Sequence, residues 1–165
     1  MRVLGIDPGT FKMGVGVVDS EEGELALVYF TVLQPGKTSP LFERLHHLYE
    51  HLLRVIGEWE PQVVAIEEPF VARNVRAAMA VGQAQAVAMV AAAHRGLPVC
   101  GYSPSEVKRA VTDYGGSSKL QVQDMVRVLL RLPDEERQPP DAADALAVAI
   151  CHVNASQALQ VTVRE

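Results

Sequence analysis

The sequence predicts a mixed α/β fold: a five-stranded sheet, part antiparallel meander and part parallel, with helices on both faces. Three observations carry that expectation. Apolar periodicity and turn signals give the order β-β-β-α-β-α-β-α-α-α along 165 residues. Residues 63–66 are apolar without alternation, as an interior strand covered on both faces requires. Residues 73–94 form an alanine-rich stretch with almost no charge after Arg76, which is a helix buried on more than one side.

Residues 2–6 are a short apolar strand broken by the turn Asp7, Pro8, Gly9. Residues 12–18 alternate and form the second strand. Its Gly14 and Gly16 share one face, where either something approaches the backbone closely or the strand bends. A turn at 20–23 and the run 25–33 complete the meander. Pro40 opens a helix in which Leu41, Leu45, Leu48, Leu52 and Ile56 repeat at helical spacing, until Glu60 and Pro61 end it.

Strand 63–66 runs directly into Glu67 and Glu68, and the apolar helix that follows stops at Gly96. One side of that helix is a candidate subunit interface, with a two-fold dimer the commonest arrangement. Residues 97–102 are the fifth strand, 103–113 a helix opened by Pro104, and 119–132 a further helix after the loop YGGSSK. A proline-rich connection leads into the last helix, from Asp141 to about Asn154. Residues 1–154 are expected to form one domain and 155–165 a flexible tail.

With 48% hydrophobic residues, the chain is the size of one globular domain. The start MRVLGID is too short in apolar length for a signal peptide, and no uninterrupted apolar run approaches the roughly 20 residues of a membrane span, so a cytoplasmic location is expected. Cys100 and Cys151 read as reduced core thiols. The net charge of -5 argues weakly against nucleic acid, but its distribution argues the other way. Acids dominate residues 20–60, whereas Arg73, Arg76, Arg95, Lys108, Arg109, Lys119 and Arg127 outnumber Glu106, Asp113 and Asp124 between residues 73 and 127.

The stretch PPDAADALAVAI raises the chemical question. Asp141 and Asp144 lie one helical turn apart on one face, beside Leu146, Val148 and Ile150. Burying two like charges costs several kcal/mol unless a partner compensates. A place in the first turn after Pro140 accounts for Asp141 and leaves Asp144 unexplained. Asp7 and Glu67 stand at the carboxyl ends of the two central parallel strands, the edge where open α/β sheets bind ligands. If the last helix packs there, four carboxylates surround one point. Hard divalent cations resolve such repulsion, and two ions about 3.5 to 4 Å apart are the recurring arrangement for phosphodiester cleavage.

GIDPGT (residues 5–10), AIEEPF (65–70) and DAADALAVAI (141–150) resemble the three acidic motifs of the bacterial RuvC family, the Holliday junction resolvases. GQAQAVAMVAAA, EVKRAV and SSKLQVQDMVR extend the resemblance over nearly all of the chain to about Asn154. It implies an RNase H-like fold and a homodimer that places paired, symmetric nicks across a four-way DNA junction, in recombination and DNA repair. The residues matching the family's metal-binding carboxylates are Asp7, Glu67, Asp141 and Asp144; some relatives carry histidine in place of Asp141. Two ions, Mg²⁺ or Mn²⁺, are implied, one activating water and the other stabilising the leaving 3′ oxygen, to give 5′-phosphate and 3′-hydroxyl ends. Lys108 and Lys119 match lysines used near the scissile phosphate. Phe70 matches an aromatic that stacks on or wedges between bases, and Arg73 and Arg76 are expected on junction phosphates. A branch-migration motor is a further partner that the resemblance suggests.

Successive strand residues point to opposite faces, so only one of Glu67 and Glu68 meets Asp7; the motif selects Glu67. His46, His47 and His51 read as surface residues, and His94 and His152 as structural. Two other classes compete. A catalytically silent junction-binding module is disfavoured by four acids in a DNA site. An actin-like ATPase, whose phosphate loop also reads DxGT, needs more chain than 165 residues supply.

Overall fold

The computed structural model describes residues 1–68, 75–133 and 137–162, with side chains up to residue 159. The elements are β1 (Arg2–Asp7), β2 (Met13–Glu21), β3 (Glu24–Leu33), α1 (Leu41–Trp59), β4 (Val63–Glu67), α2 (Val75–His94), β5 (Val99–Tyr102), α3 (Pro104–Thr112), α4 (Lys119–Leu129) and α5 (Pro140–Thr162). They follow the expected order. The five strands form one sheet ordered β3-β2-β1-β4-β5. β1, β2 and β3 pair antiparallel, while β4 pairs parallel with both β1 and β5. The two-residue turn joining β2 to β3 holds Glu22 and Gly23 at positive φ, which suits the twist of a tight hairpin.

Strand alternation divides the core in two. Leu4, Ile6, Val15, Val17, Val64 and Ile66 pack against Leu48, Leu52 and Ile56 of α1 and Ala84, Ala88 and Ala91 of α2. On the other face, Val3, Val18 and Ala65 meet α5, flanked by Val107 and Val111 of α3 and Val122 and Val126 of α4. The same two-residue period puts Asp7 and Glu67 on the α5 face.

Gly14 and Gly5 explain how α5 reaches the sheet. A Cβ on Gly14 would strike the backbone carbonyl of Asp141, and one on Gly5 would strike the carbonyl of Ala145. The helix backbone therefore rests directly on two strands, and the glycine face marks close approach rather than a bend. From Ala142 to Ile150, every residue except Asp144 is buried.

Several boundaries differ from the expectation. Asp7 and Glu67 are the last residues of their strands, not the first beyond them. α4 stops at Leu129 rather than at 132, with Arg131 at φ 53 turning the chain without a glycine. α5 runs on to Thr162, past the expected end at Asn154. Residues 155–160 contain neither glycine nor proline, and Ser156 Oγ donates to the His152 carbonyl one turn earlier, at 2.8 Å. α2 has the length and hydropathy to cross a membrane, although two glutamines interrupt its apolar run; it buries Ala84, Ala88, Ala91 and Ala92 against the core. Cys100 and Cys151 are free thiols.

Candidate active site

The parallel strands deliver Asp7 and Glu67 side by side, because Ile6 pairs with Ile66 one residue earlier on both. α5 brings Asp144 to them. Two capped helices complete the walls: α3, capped by Ser103 with Glu106 closing the box, carries Lys108, and α4, capped by Ser118 with Gln121, begins at Lys119. Asp7, Glu67, Asp144, Lys108 and Lys119 line one cleft of about 310 Å³, with Pro104, Val107, Val122 and Ala147 as its apolar surface.

Burial raises the pKa of Asp7 to about 8, reinforced by the charges of Glu67 and Asp144. Burial also raises Glu67, and Asp144 adds to it, while a hydrogen bond with Asp7 works in the opposite direction. Burial and mutual repulsion together favour protonation of this pair, as expected of acids forced together. Asp144 is raised by burial as well, opposed by Lys119 and by a hydrogen bond from Gln123. Lys119 Nζ lies 2.5 Å from Asp144 Oδ2. Burial disfavours the Lys119 ammonium, but its bond to Asp144 and the surrounding acids outweigh that, so its pKa rises.

Asp141 lies in the first turn of α5, half-buried, and is absent from the cleft lining. Its charge still reaches Asp7 and Asp144. Glu68 is exposed and lies over Gly101 of β5, on the face away from α5. Arg76 is exposed in the first turn of α2. Phe70 and Arg73 lie outside the described residues. His47 and His51 stack at 4.0 Å on α1. His152 is buried, its Nδ1 2.7 Å from the Tyr102 hydroxyl, and His94 Nδ1 is 3.0 Å from the Tyr49 hydroxyl.

Gln123 was missed by the sequence reading. Its signal was present, since it sits four residues after Lys119 on one face of α4. An amide at an exposed helix position offers no reason to be singled out until Asp144 is seen opposite it.

The donors suit a hard divalent cation in kind: all are carboxylate oxygens, and burial with mutual repulsion holds their pKa values up. They do not suit it in spacing as they stand. Among the described residues, no three aspartate, glutamate, histidine or cysteine side chains are gathered closely enough to hold one ion.

Residues 3–152 match the family described as crossover junction endodeoxyribonuclease RuvC. A crossover junction endodeoxyribonuclease RuvC from Dehalococcoides mccartyi is 51% identical over 152 residues, 92% of this chain and 90% of the relative. One from Thermomicrobium roseum is 46% identical over 161 residues, 98% of both chains. The fold is similar to that of Thermus thermophilus RuvC in complex with Holliday junction substrate, with TM-score 0.89, 35% identity and 96% of both chains covered. The yeast mitochondrial Holliday junction resolvase Ydc2, at 15% identity and TM-score 0.65, shares the fold.

Proposed function

The chain belongs to the RuvC family of crossover junction endodeoxyribonucleases, and on that premise we propose that it resolves four-way DNA junctions by paired, symmetric nicks in recombination and DNA repair. The observation that carries this reading is the cleft: three carboxyls with raised pKa values, Asp7, Glu67 and Asp144, facing Lys108 and Lys119. Acids alone would repel a phosphodiester. Two lysines beside them give its non-bridging oxygens a place to rest while the acids face the attacking side.

The family implies dependence on a divalent metal, and we assign Mg²⁺ or Mn²⁺, two ions per active site, to Asp7, Glu67, Asp141 and Asp144. Bound there, the ions would supply Lewis-acid activation of water and stabilisation of the leaving 3′ oxygen, leaving a 5′-phosphate. The chain's own part is to hold the Asp7 and Glu67 carboxyls rigidly at two strand ends, to exclude bulk water with Val107 and Val122, and to orient the phosphate with Lys108 and Lys119.

Symmetric nicking needs two such sites, and α2 supports a homodimer. Val75, Met79, Met89 and Val90 are exposed on it, beside an apolar groove lined by Leu45, Tyr49, Val87 and Val90. Arg76 is assigned to junction phosphates, with Phe70 and Arg73 keeping the base-wedging and phosphate roles that the resemblance implies. The protein works in the cytoplasm, with a branch-migration motor as a further partner.

The test is to incubate the protein with a synthetic four-way junction and with a linear duplex, each in Mg²⁺, Mn²⁺ or EDTA. Two symmetric nicks in the junction, dependent on the ion, are expected. Equal cutting of both DNAs would refute junction selectivity. Tight junction binding with no cutting in any condition would favour the silent binding module.

A further inference from the structure

The geometry points to Lys119 as the internal counter-ion of the carboxylate cluster, one that a divalent cation must displace from Asp144 before that carboxylate ligates it. The inference rests on the metal-dependent reading above and adds to it a competition between two cations for one side chain.

Four observations support it. Lys119 Nζ is 2.5 Å from Asp144 Oδ2, a direct ion pair at the wall of the cleft. Lys119 is the first residue of α4, where the helix dipole disfavours a positive charge, so the side chain is held there by the acids and not by its own helix. Gln123, one turn on, acts with Lys119 to favour the charged form of the same carboxylate. And although the donors are of the right kind, no three among the described residues converge to enclose an ion. The ammonium on Asp144 Oδ2 occupies one of the carboxylate's acceptor sites and places a positive charge where a second cation would have to approach. Lys108 lines the same cleft without being the partner of Asp144, which makes it the natural control.

The exchange balances in charge and in bonds. On loading, Asp144 would exchange its ion pair with Lys119 for ligation of the ion, and the Lys119 ammonium, still protonated, would be released into the cleft. Lys119 would then be available to a DNA phosphate only in a loaded site.

The test measures Mn²⁺ binding to the full chain without DNA, by calorimetry, for the wild type, Lys119→Met, Lys119→Arg and Lys108→Met. Lys119→Met is expected to bind Mn²⁺ about tenfold more tightly, Lys119→Arg like the wild type, and Lys108→Met within about threefold of it. Equal gains in the two methionine variants would overturn the proposal in favour of a general field effect, and unchanged affinity in Lys119→Met would overturn it outright. If Lys119→Met does not fold, the lysine side-chain NMR signals of the wild type serve instead. The Lys119 signal, identified by its loss in Lys119→Arg, should move on addition of Mg²⁺, and an unmoved signal at saturating Mg²⁺ would refute displacement. Wild-type nicking in Mn²⁺ with unchanged Lys119→Met affinity would sink only the competition. Absence of both binding and nicking would sink the metal-dependent reading with it.

Discussion

The two faces of the sheet are built from different residues. Toward α1 and α2, the strands present Leu4, Ile6, Val15, Val17 and Ile66, which interlock with leucines and alanines of the helices. Toward α5, the same strands present Gly5, Gly14 and Gly16 among Val3, Val18 and Ala65, beneath a helix that places Ala142, Ala143, Ala145, Ala147 and Ala149 in its buried stretch. Large side chains hold two layers about 10 Å apart and stabilise by area removed from water. Small ones let backbones touch, at the expense of that area. The first face supplies cohesion, and the second sets the distance between α5 and the strand ends that carry Asp7 and Glu67.

The contrast is most severely tested at Gly14. A side chain there collides with the Asp141 carbonyl, so Gly14→Val should abolish nicking and destabilise the fold by about 3 kcal/mol or more, checked by denaturant unfolding and junction cleavage. Leu48→Ala, on the cohesive face and fully buried, should cost a comparable 2 to 5 kcal/mol, approximately. Its nicking rate per folded molecule should stay near that of the wild type. If both variants lose activity in proportion to folded fraction, the two faces do not differ in kind.

A smaller effect separates charge from packing. Asp7 has its pKa raised from 3.8 to about 8 by burial and neighbouring acids, so between those values the folded chain holds a proton that the unfolded chain has released. In EDTA, stability should therefore fall as pH rises from about 4 to 8, by on the order of a few kcal/mol. Asp7→Asn should flatten that slope and raise Tm at pH 8 while abolishing nicking. A slope unchanged in Asp7→Asn would remove Asp7 as its source. Smallest of all, Gln123→Ala removes one hydrogen bond to Asp144 and should cost about 0.5 to 1.5 kcal/mol. Its nicking should fall a few-fold with junction affinity unchanged, whereas an equal loss of affinity would point to a role in binding.

Much of this was legible from residue order. Alternation in β4 separates Glu67 from Glu68, and the structure puts Glu67 beside Asp7 and Glu68 over Gly101. Gly14 and Gly16 left a close neighbour and a bend as alternatives, and the packing of α5 decides for the neighbour. The end of α5 was misread because residues 155–160 lack both a strong apolar face and a breaker, so periodicity faded before the helix did. Gln123 was invisible because its importance depends on what stands opposite.

The sequence by itself determined what local geometry controls: the element order, the sheet face on which Asp7 and Glu67 sit, and the one-turn spacing of Asp141 and Asp144. These follow from periods of two and 3.6 residues, which need no knowledge of distant chain. Only the tertiary structure decided that Asp144 lines the cleft while Asp141 does not, and that Asp144 is paired with Lys119. α4 and α5 are separate rigid bodies whose meeting is set by how each packs on the sheet, and a salt bridge between them is a consequence of that packing that neither helix encodes alone.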